Sequence, residues 1–523
     1  MKLRTPEQIQ ARRWGTLAVL CLSVLIVVVD NTIVNVALPT LVRDLHSTTT
    51  SLQWIVDAYT LTMAGLLITL GSLGDRIGRH RTLAGGLVIF GLGSALAAFS
   101  GSSGQLIASR VVMGLGAAAI MPSTLSILTN VFSDTSERAK AIAMWSAVTG
   151  LGIAIGPTLG GWLLAHFSWG SIFLVNLPIV AVALATGRSF VPPSSNPRRH
   201  PFDILGSLLS IAGLIALVYA LIEAPDDGWL SSRTMLIGAV GGAIMVVWAR
   251  WELRRPFPMV DLSIFRNARF SAASFSITMV FLALFGWLFL FTQQLQFVLG
   301  YSALAAGVRA LPFALTIGVV TPIAAPLAAR YGSKLVVSTG LAVMTIGFAL
   351  ASTSTTASHF AFLLLVSIIV AAGMGLAVAP ATESIMGSLP LAKAGVGSAI
   401  NDTTREIGGV LGVAVMGSIA ATVYKSHLVV GHLPIRYANL ARSSVGAAVT
   451  IGQRAPGAAG TTLATHARQA FLVGADRATL IAALATAMGA LISVRYLPAR
   501  EARVVHDETS TPGLAITLAG ACD

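Results

Sequence analysis

Charge is what this chain has least of. Only 11% of its 523 residues are Asp, Glu, Lys or Arg, where a soluble domain carries roughly 25%, and 55% are hydrophobic. A water-solvated fold is excluded for most of the length; the solvent is lipid. Cysteine is nearly absent too. Cys21 lies in the first apolar stretch and Cys522 one residue from the end, so neither a disulfide framework nor a metal-ligand spacing exists. No G-x-x-x-x-G-K-[S/T] run is present to cradle a nucleotide phosphate, and an ATP-driven mechanism loses its support. Acids are scarcer than bases, for a formal charge of +13. The bases nevertheless sit in short segments between apolar runs, without a face of base-reading or stacking groups, so nucleic acid is not an expected partner.

What is present is a series of apolar runs long enough to cross a bilayer, which takes about 20 residues each. Fourteen are read, at 15–38, 51–73, 82–100, 104–130, 139–164, 169–190, 203–223, 233–250, 270–293, 303–328, 335–351, 359–387, 395–423 and 469–493. The first follows Lys2, Arg4, Arg12 and Arg13 as a secretory signal would. It continues into Asp30, Asn31 and Asn35 without a cleavage site, and so reads as a span. The positive-inside rule tests the count, because one miscounted helix inverts every later loop. With both ends cytoplasmic, 23 of the 34 Lys and Arg fall in or beside the even-numbered connections and the two tails, and only Arg43 and Arg233 in the short outer loops. A multi-pass protein of a cytoplasmic membrane is expected, and the 29 Arg against 5 Lys hint at a GC-rich bacterial genome.

The stretch Leu327 to Lys334 follows the tenth span as Leu73 to His80 follows the second, sharing the Leu, Arg, Gly and final basic positions. If spans 9 and 10 repeat spans 1 and 2, then spans 7 and 8 are inserted between two six-helix bundles, the parallel-repeat plan that flanks a central site. The expected fold is an all-α integral membrane protein of fourteen helices. Its divisions are a cytoplasmic segment 1–13, a bundle 14–190, a linker with the two extra helices 191–268, a second bundle 269–495 with a long outer loop 425–468, and a cytoplasmic tail 496–523.

Four motifs stand out. Gly71-Ser72-Leu73-Gly74-Asp75-Arg76-Ile77-Gly78-Arg79-His80-Arg81 joins spans 2 and 3, and Asp30-Asn31-Thr32-Ile33-Val34-Asn35 lies in span 1. Arg110 opens Arg110-Val111-Val112-Met113-Gly114-Leu115-Gly116 in span 4, and span 5 carries Gly152-x-x-x-Gly156-Pro157-x-x-Gly160-Gly161. In this order and on these helices they resemble the fourteen-helix drug:proton antiporter branch of the major facilitator superfamily, over about residues 14–424. The chain departs from that pattern at Trp169-Gly170-Ser171, where an arginine commonly follows the tryptophan, and at Ala329, where the first repeat has Asp75. The resemblance implies two bundles rocking about a midplane cavity, and a gate loop in which Asp75 caps a helix of the other bundle near Gly395. It also implies that Arg79, Glu137 and Arg138 add ion pairs across the closed inner gate. The glycines of span 5, which alone would signal close helix packing, become an antiporter motif that shapes the central interface.

Ionisable residues within spans are costly and by default functional. Asp30, Asp57 and Arg110 fall at depths of roughly 12, 9 and 9 Å from the outer end, counting a rise of ~1.5 Å per residue, so they can share a layer. An arginine keeps its proton and favours a charged acid beside it, whereas burial favours a neutral one; the opposition permits a proton switch. The alternative is a permanent Asp30–Arg110 ion pair. Asp402, Arg405 and Glu406 share one face of span 13, with Glu383 of span 12 at a similar or shallower depth. Either this cluster takes a proton or cationic cargo, or Arg405 pairs with both acids. Phe281, Phe285, Trp287, Phe289, Gln293 and Gln294 of span 9 offer a pocket for a lipophilic cation or an interfacial belt. The expected function is proton-coupled export of lipophilic, cationic compounds by a monomer, with protons, a small molecule and the bilayer as partners and no cofactor. A dedicated exporter of an endogenous metabolite or lipid remains the alternative. A membrane-embedded transferase would need more than His200 and Asp203 at the inner surface.

Overall fold

The computed structural model describes residues 6–132, 134–193, 203–256, 258, 260–389, 394–431, 433–454 and 458–498, some of them, including Asp75, by backbone alone. His200, Cys522 and the tail beyond 498 lie outside the described residues. The N-terminal bundle comprises α1 (Pro6–Leu45), α2 (Thr49–Ile77), α3 (Arg79–Ala98), α4 (Ser103–Val131) and α5 (Thr135–His166). Its sixth crossing is broken at Val175 into α6 (Ser171–Leu174) and α7 (Asn176–Phe190). The inserted pair is α8 (Ile204–Asp227) and α9 (Ser232–Arg254). The C-terminal bundle opens with α10 (Ala268–Gln293), prolonged by a π turn at Gln294–Val298. Its second crossing is shared by α11 (Ala303–Arg309) and α12 (Leu311–Tyr331). There follow α13 (Ser333–Ala351), α14 (Phe360–Gly387), α15 (Ala394–His427), the short α16 (Ile435–Ser443) and α17 (Val445–Arg454), and finally α18 (Ala458–Tyr496). Thirteen crossings among the described residues are long and apolar enough for a membrane, and α5 supplies the fourteenth with its apolar part Leu151–His166. We call the face where α1 begins and α18 ends the near face, and the opposite one the far face.

Most expected spans are helices that overrun their apolar runs, since a helix continues into the polar margin until a residue stops it. Where the sequence suggests an eight-residue connection between spans 2 and 3, the chain turns at a single residue, Gly78, whose φ of 107° an L side chain rarely adopts. Its N–H closes α2 on the Gly74 carbonyl at 3.0 Å, and α3 starts at the next residue. Gly332, with φ 90°, joins α12 to α13 in the same way, donating to Ala328 at 2.8 Å. The faint repeat of the sequence is therefore a repeated backbone joint. In the tenth span Pro312, second in α12, lacks an N–H and suits a helix start, which fits the restart at Leu311.

The expected loop 425–468 is largely helical. Ala441 and Val445 of α16 and α17 are buried, and Tyr424 at the end of α15 donates its hydroxyl to the Ala441 carbonyl at 2.8 Å. α18 begins eleven residues ahead of the expected span at 469, and the segment forms a cap on the far face rather than a free loop.

Candidate functional site

In the N-terminal bundle the geometry converges on Arg110. Its Nη1 pairs with Asp30 Oδ2, its Nε donates to the Ile55 carbonyl at 3.0 Å, and its guanidinium lies 4.1 Å from the centre of the Tyr59 ring. The other Asp30 oxygen accepts from Asn176 Nδ2 at 3.1 Å, and that amide also reaches Ser94 Oγ at 3.2 Å. Tyr59 in turn donates its hydroxyl to the Val27 carbonyl at 3.3 Å. Five crossings, α1, α2, α3, α4 and α7, thus meet at one buried ion pair, with side-chain exposures of 1% for Arg110 and 0% for Asp30. In this conformation the pair is closed and its two charges neutralise each other.

Asp57 is the counterpart. It is 0% exposed, and neither carboxylate oxygen has a hydrogen-bond partner among the described residues. One turn before it on α2, Gln53 Nε2 crosses to α15 and donates to the carbonyls of Val413 and Ala414 at 3.1 and 3.2 Å and to Ser418 Oγ at 3.1 Å. One turn after it, Leu61 packs in a small cluster with Val410 and Ala414 of α15. Residues four apart share a helix face, so Asp57 belongs to the seam where the two bundles meet.

On the other side of that seam, Asp402, Arg405 and Glu406 are half-buried on α15. Arg405 does not form a contact ion pair with either acid, although it acts on both electrostatically. Its Nη2 donates instead to Thr382 Oγ1 of α14 at 3.0 Å, and its guanidinium faces Phe281 at 5.6 Å. Thr382 Oγ1 also lies 3.4 Å from Asn401 Oδ1, the residue beside Asp402. Glu383, expected to join this group, is on the exposed side of α14, although its neighbour Thr382 faces Arg405.

The aromatic run of α10 divides in two. Trp287 and Phe289 are buried, and Trp287 stacks on Phe291 at 4.5 Å and contacts Phe313 and Phe348. They form bundle core, neither pocket nor belt. Gln293, also buried, donates back to the Phe289 carbonyl at 2.9 Å, and Gln294 is buried in the π turn. Phe281 and Phe285, stacked at 6.0 Å and half-buried beside α15, are the part that reaches the charged cluster.

The glycines of α5 serve two neighbours. Gly152, Gly156 and Gly160 face α1, where a Cβ on Gly156 would stand 1.9 Å from Thr32 Oγ1. Gly161 faces α11, where a Cβ would come within 2.6 Å of the Ala303 carbonyl, and a Cβ on Gly307 would stand 2.2 Å from the Pro157 carbonyl. Contacts between α5 and α11 lie in the far half, as do those of Gln53 and the bond from Gln296 Nε2 to the Val36 carbonyl at 2.9 Å. The far side is closed in this structure.

At the near face, Gly71 packs against Pro122, and Arg76 is exposed in the last turn of α2. Arg79 Nη1 donates to the Ser126 carbonyl at 3.3 Å, Arg138 Nε to the Phe132 carbonyl at 2.9 Å, and Glu137 pairs with Arg13 at 2.8 Å. These described partners all belong to the N-terminal bundle. The side chain of Asp75 lies outside the described residues, and its expected partnership near Gly395 does so with it. The sequence did not single out Gln53, Tyr59, Asn176 or Thr382. For Gln53 the signal was available, an amide four residues before an acid on a half-apolar helix.

This architecture is that of a secondary transporter with two pseudo-symmetric bundles. The family model of the Major Facilitator Superfamily matches residues 20–413, and the chain belongs to that family. It is 36% identical over 497 residues to the multidrug efflux pump LfrA of Mycolicibacterium smegmatis, covering 94% of this chain and 97% of the other. It is 34% identical to the methyl viologen resistance protein SmvA of Salmonella typhimurium, covering 88% and 93% respectively. Among solved structures, a bacterial homologue of the human lysosomal transporter Spinster superposes with a TM-score of 0.65 at 17% identity, covering 94% of this chain and 99% of the other.

Proposed function

We propose that the chain is a proton-driven exporter of lipophilic cations in a bacterial cytoplasmic membrane, with the near face and both termini in the cytoplasm. The observation that carries the reading is Asp57, a carboxyl group with no hydrogen-bond partner among the described residues, fully buried at the seam of the two bundles. A bare charge there would cost several kcal/mol, on the order known for unpaired buried ions; a proton or a cationic substrate removes that cost. Asp57 therefore alternates between the two. Glu406 and Asp402 across the seam hold the negative field that draws cationic cargo, and Phe281 and Phe285 supply faces for it. Asp30 and Arg110 fix the layer in which this happens. Cytoplasmic cargo displaces the proton, the bundles rock, and an incoming proton releases the cargo outside. One charge crossing 100 mV contributes ~2.3 kcal/mol to that work. Methyl viologen, against which one relative protects, is an organic dication and fits the field.

The test is transport by everted membrane vesicles. Vesicles acidified inside are expected to accumulate ethidium, to lose it on uncoupling, and to accumulate none with Asp57→Asn. Accumulation that persists after uncoupling would contradict proton drive.

A further inference from the structure

The inserted helix α8 is tied to both bundles, but unequally. Along α2 it is held over its whole length: Ser207 Oγ meets Thr69 Oγ1 at 2.6 Å, Ile211 packs on Gly65, Glu223 accepts from Trp54 Nε1 at 3.1 Å, and Asp226 accepts from Thr50 Oγ1 at 2.8 Å. Among the described residues its side-chain links to α15 run from its middle to the far face. Val218 and Ile222 pack on Val410 and Ala414; beyond them Asp226 pairs with Lys425, whose Nζ also donates to the Pro225 carbonyl at 3.3 Å. Just past the end of α8, Trp229 Nε1 donates to Thr422 Oγ1 at 2.9 Å. α9 packs mainly on α8 and is otherwise largely exposed, backing the strap.

Asp226 thus holds a residue of each bundle at once, Thr50 of α2 with one oxygen and Lys425 of α15 with the other. We propose that α8 is a strap fixed to the N-terminal bundle and clasped to α15 by Asp226–Lys425 and Trp229–Thr422, and that this clasp opens whenever the far side opens. The clasp covers the seam at the level where Gln53 bridges to Val413, Ala414 and Ser418, so parting α2 from α15 there must break both sets of bonds. Because the links to α2 extend to the near half and those to α15 do not, α8 travels with α2 while Lys425 and Thr422 move away. The inserted pair is then a moving part of the gate, and not a passive spacer between repeats. The inference rests on alternating access and is independent of which ion drives it.

Its test uses Asp226→Cys with Lys425→Cys in a Cys21→Ser, Cys522→Ser background, bridged after membrane insertion by a short bifunctional thiol reagent. The readout is ethidium counterflow in proteoliposomes, which needs alternating access but no proton gradient, so a failure of proton coupling would leave it intact. Bridging is expected to slow counterflow by about tenfold or more by withholding one of the two states, with recovery when a reducible bridge is cleaved; counterflow unchanged in the fully bridged protein would overturn the clasp. A second variant covers poor bridging. Asp226→Asn is expected to raise labelling of Ser418→Cys by a membrane-impermeant maleimide from the far side by about threefold, the scale of a half-exposed ion pair. Labelling equal to that of the same reporter with Asp226 intact would likewise overturn the clasp.

Discussion

The Arg110 guanidinium lies on the face of Tyr59, 4.1 Å from the ring centre, while the Tyr59 hydroxyl donates to the Val27 carbonyl of α1 at 3.3 Å. One aromatic side chain therefore braces the buried Asp30–Arg110 pair against the helix that carries Asp30. Tyr59 is 0% exposed, so its ring also fills the bundle core. Tyr59→Phe keeps the ring and gives up one hydrogen bond, at a cost of about 0.5–1.5 kcal/mol. Tyr59→Ala is expected to cost about 3–5 kcal/mol, as large-to-small core changes do. Thermal unfolding in detergent separates the two.

The Asp30–Arg110 pair makes a stability prediction of its own. Removing one partner leaves the other charged and buried, so Arg110→Ala is expected to lose about 3–5 kcal/mol. Arg110→Lys should recover little of it, because a point charge cannot serve Asp30, the Ile55 carbonyl and the Tyr59 face together. The double variant Asp30→Asn, Arg110→Met should be more stable than Arg110→Ala, since no lone charge remains. Expression level and unfolding temperature of the three proteins check the order.

The α5 glycines predict a loss of stability and a leak. A methyl at Gly156 would meet Thr32 Oγ1 at 1.9 Å, and overpacking of this kind costs about 1–3 kcal/mol. Thr32 and Gly156 belong to the same bundle, so that cost is carried in either state: Gly156→Ala is expected to lower the unfolding temperature, and adding Thr32→Ala should restore part of it. Gly161→Ala instead presses across the closed far side on backbone, the Ala303 carbonyl at 2.6 Å, so it is expected to hasten the decay of a pH gradient imposed across proteoliposomes, and removal of a neighbouring side chain should not rescue it.

How much of this was legible beforehand depended on the kind of interaction. The spans could be read because every residue of an apolar run states the same preference. Asp30 and Arg110 could be matched because a charge in oil needs a partner and helical rise fixes its depth. Gly78 and Gly332 announced a turn, but only the observed positive φ makes it one residue long. Glu383 could be read for depth but not for azimuth: Thr382 faces Arg405 and the next residue, about 100° around, is exposed. Trp287 reads equally as pocket, belt or core until Phe313 and Phe348 are placed around it. The contacts of Gln53 and of Asp226 join segments hundreds of residues apart, and no local pattern encodes them.

The central claim is that cargo and proton exchange at the unpartnered carboxyl of Asp57. Proton release by detergent-solubilised protein in weakly buffered solution, followed with a pH dye as ethidium is added, reads that exchange without transport or a membrane. The account predicts release that saturates with bound ethidium in the wild type and falls away in Asp57→Asn although ethidium still binds. Release from Asp57→Asn equal to that of the wild type would contradict it.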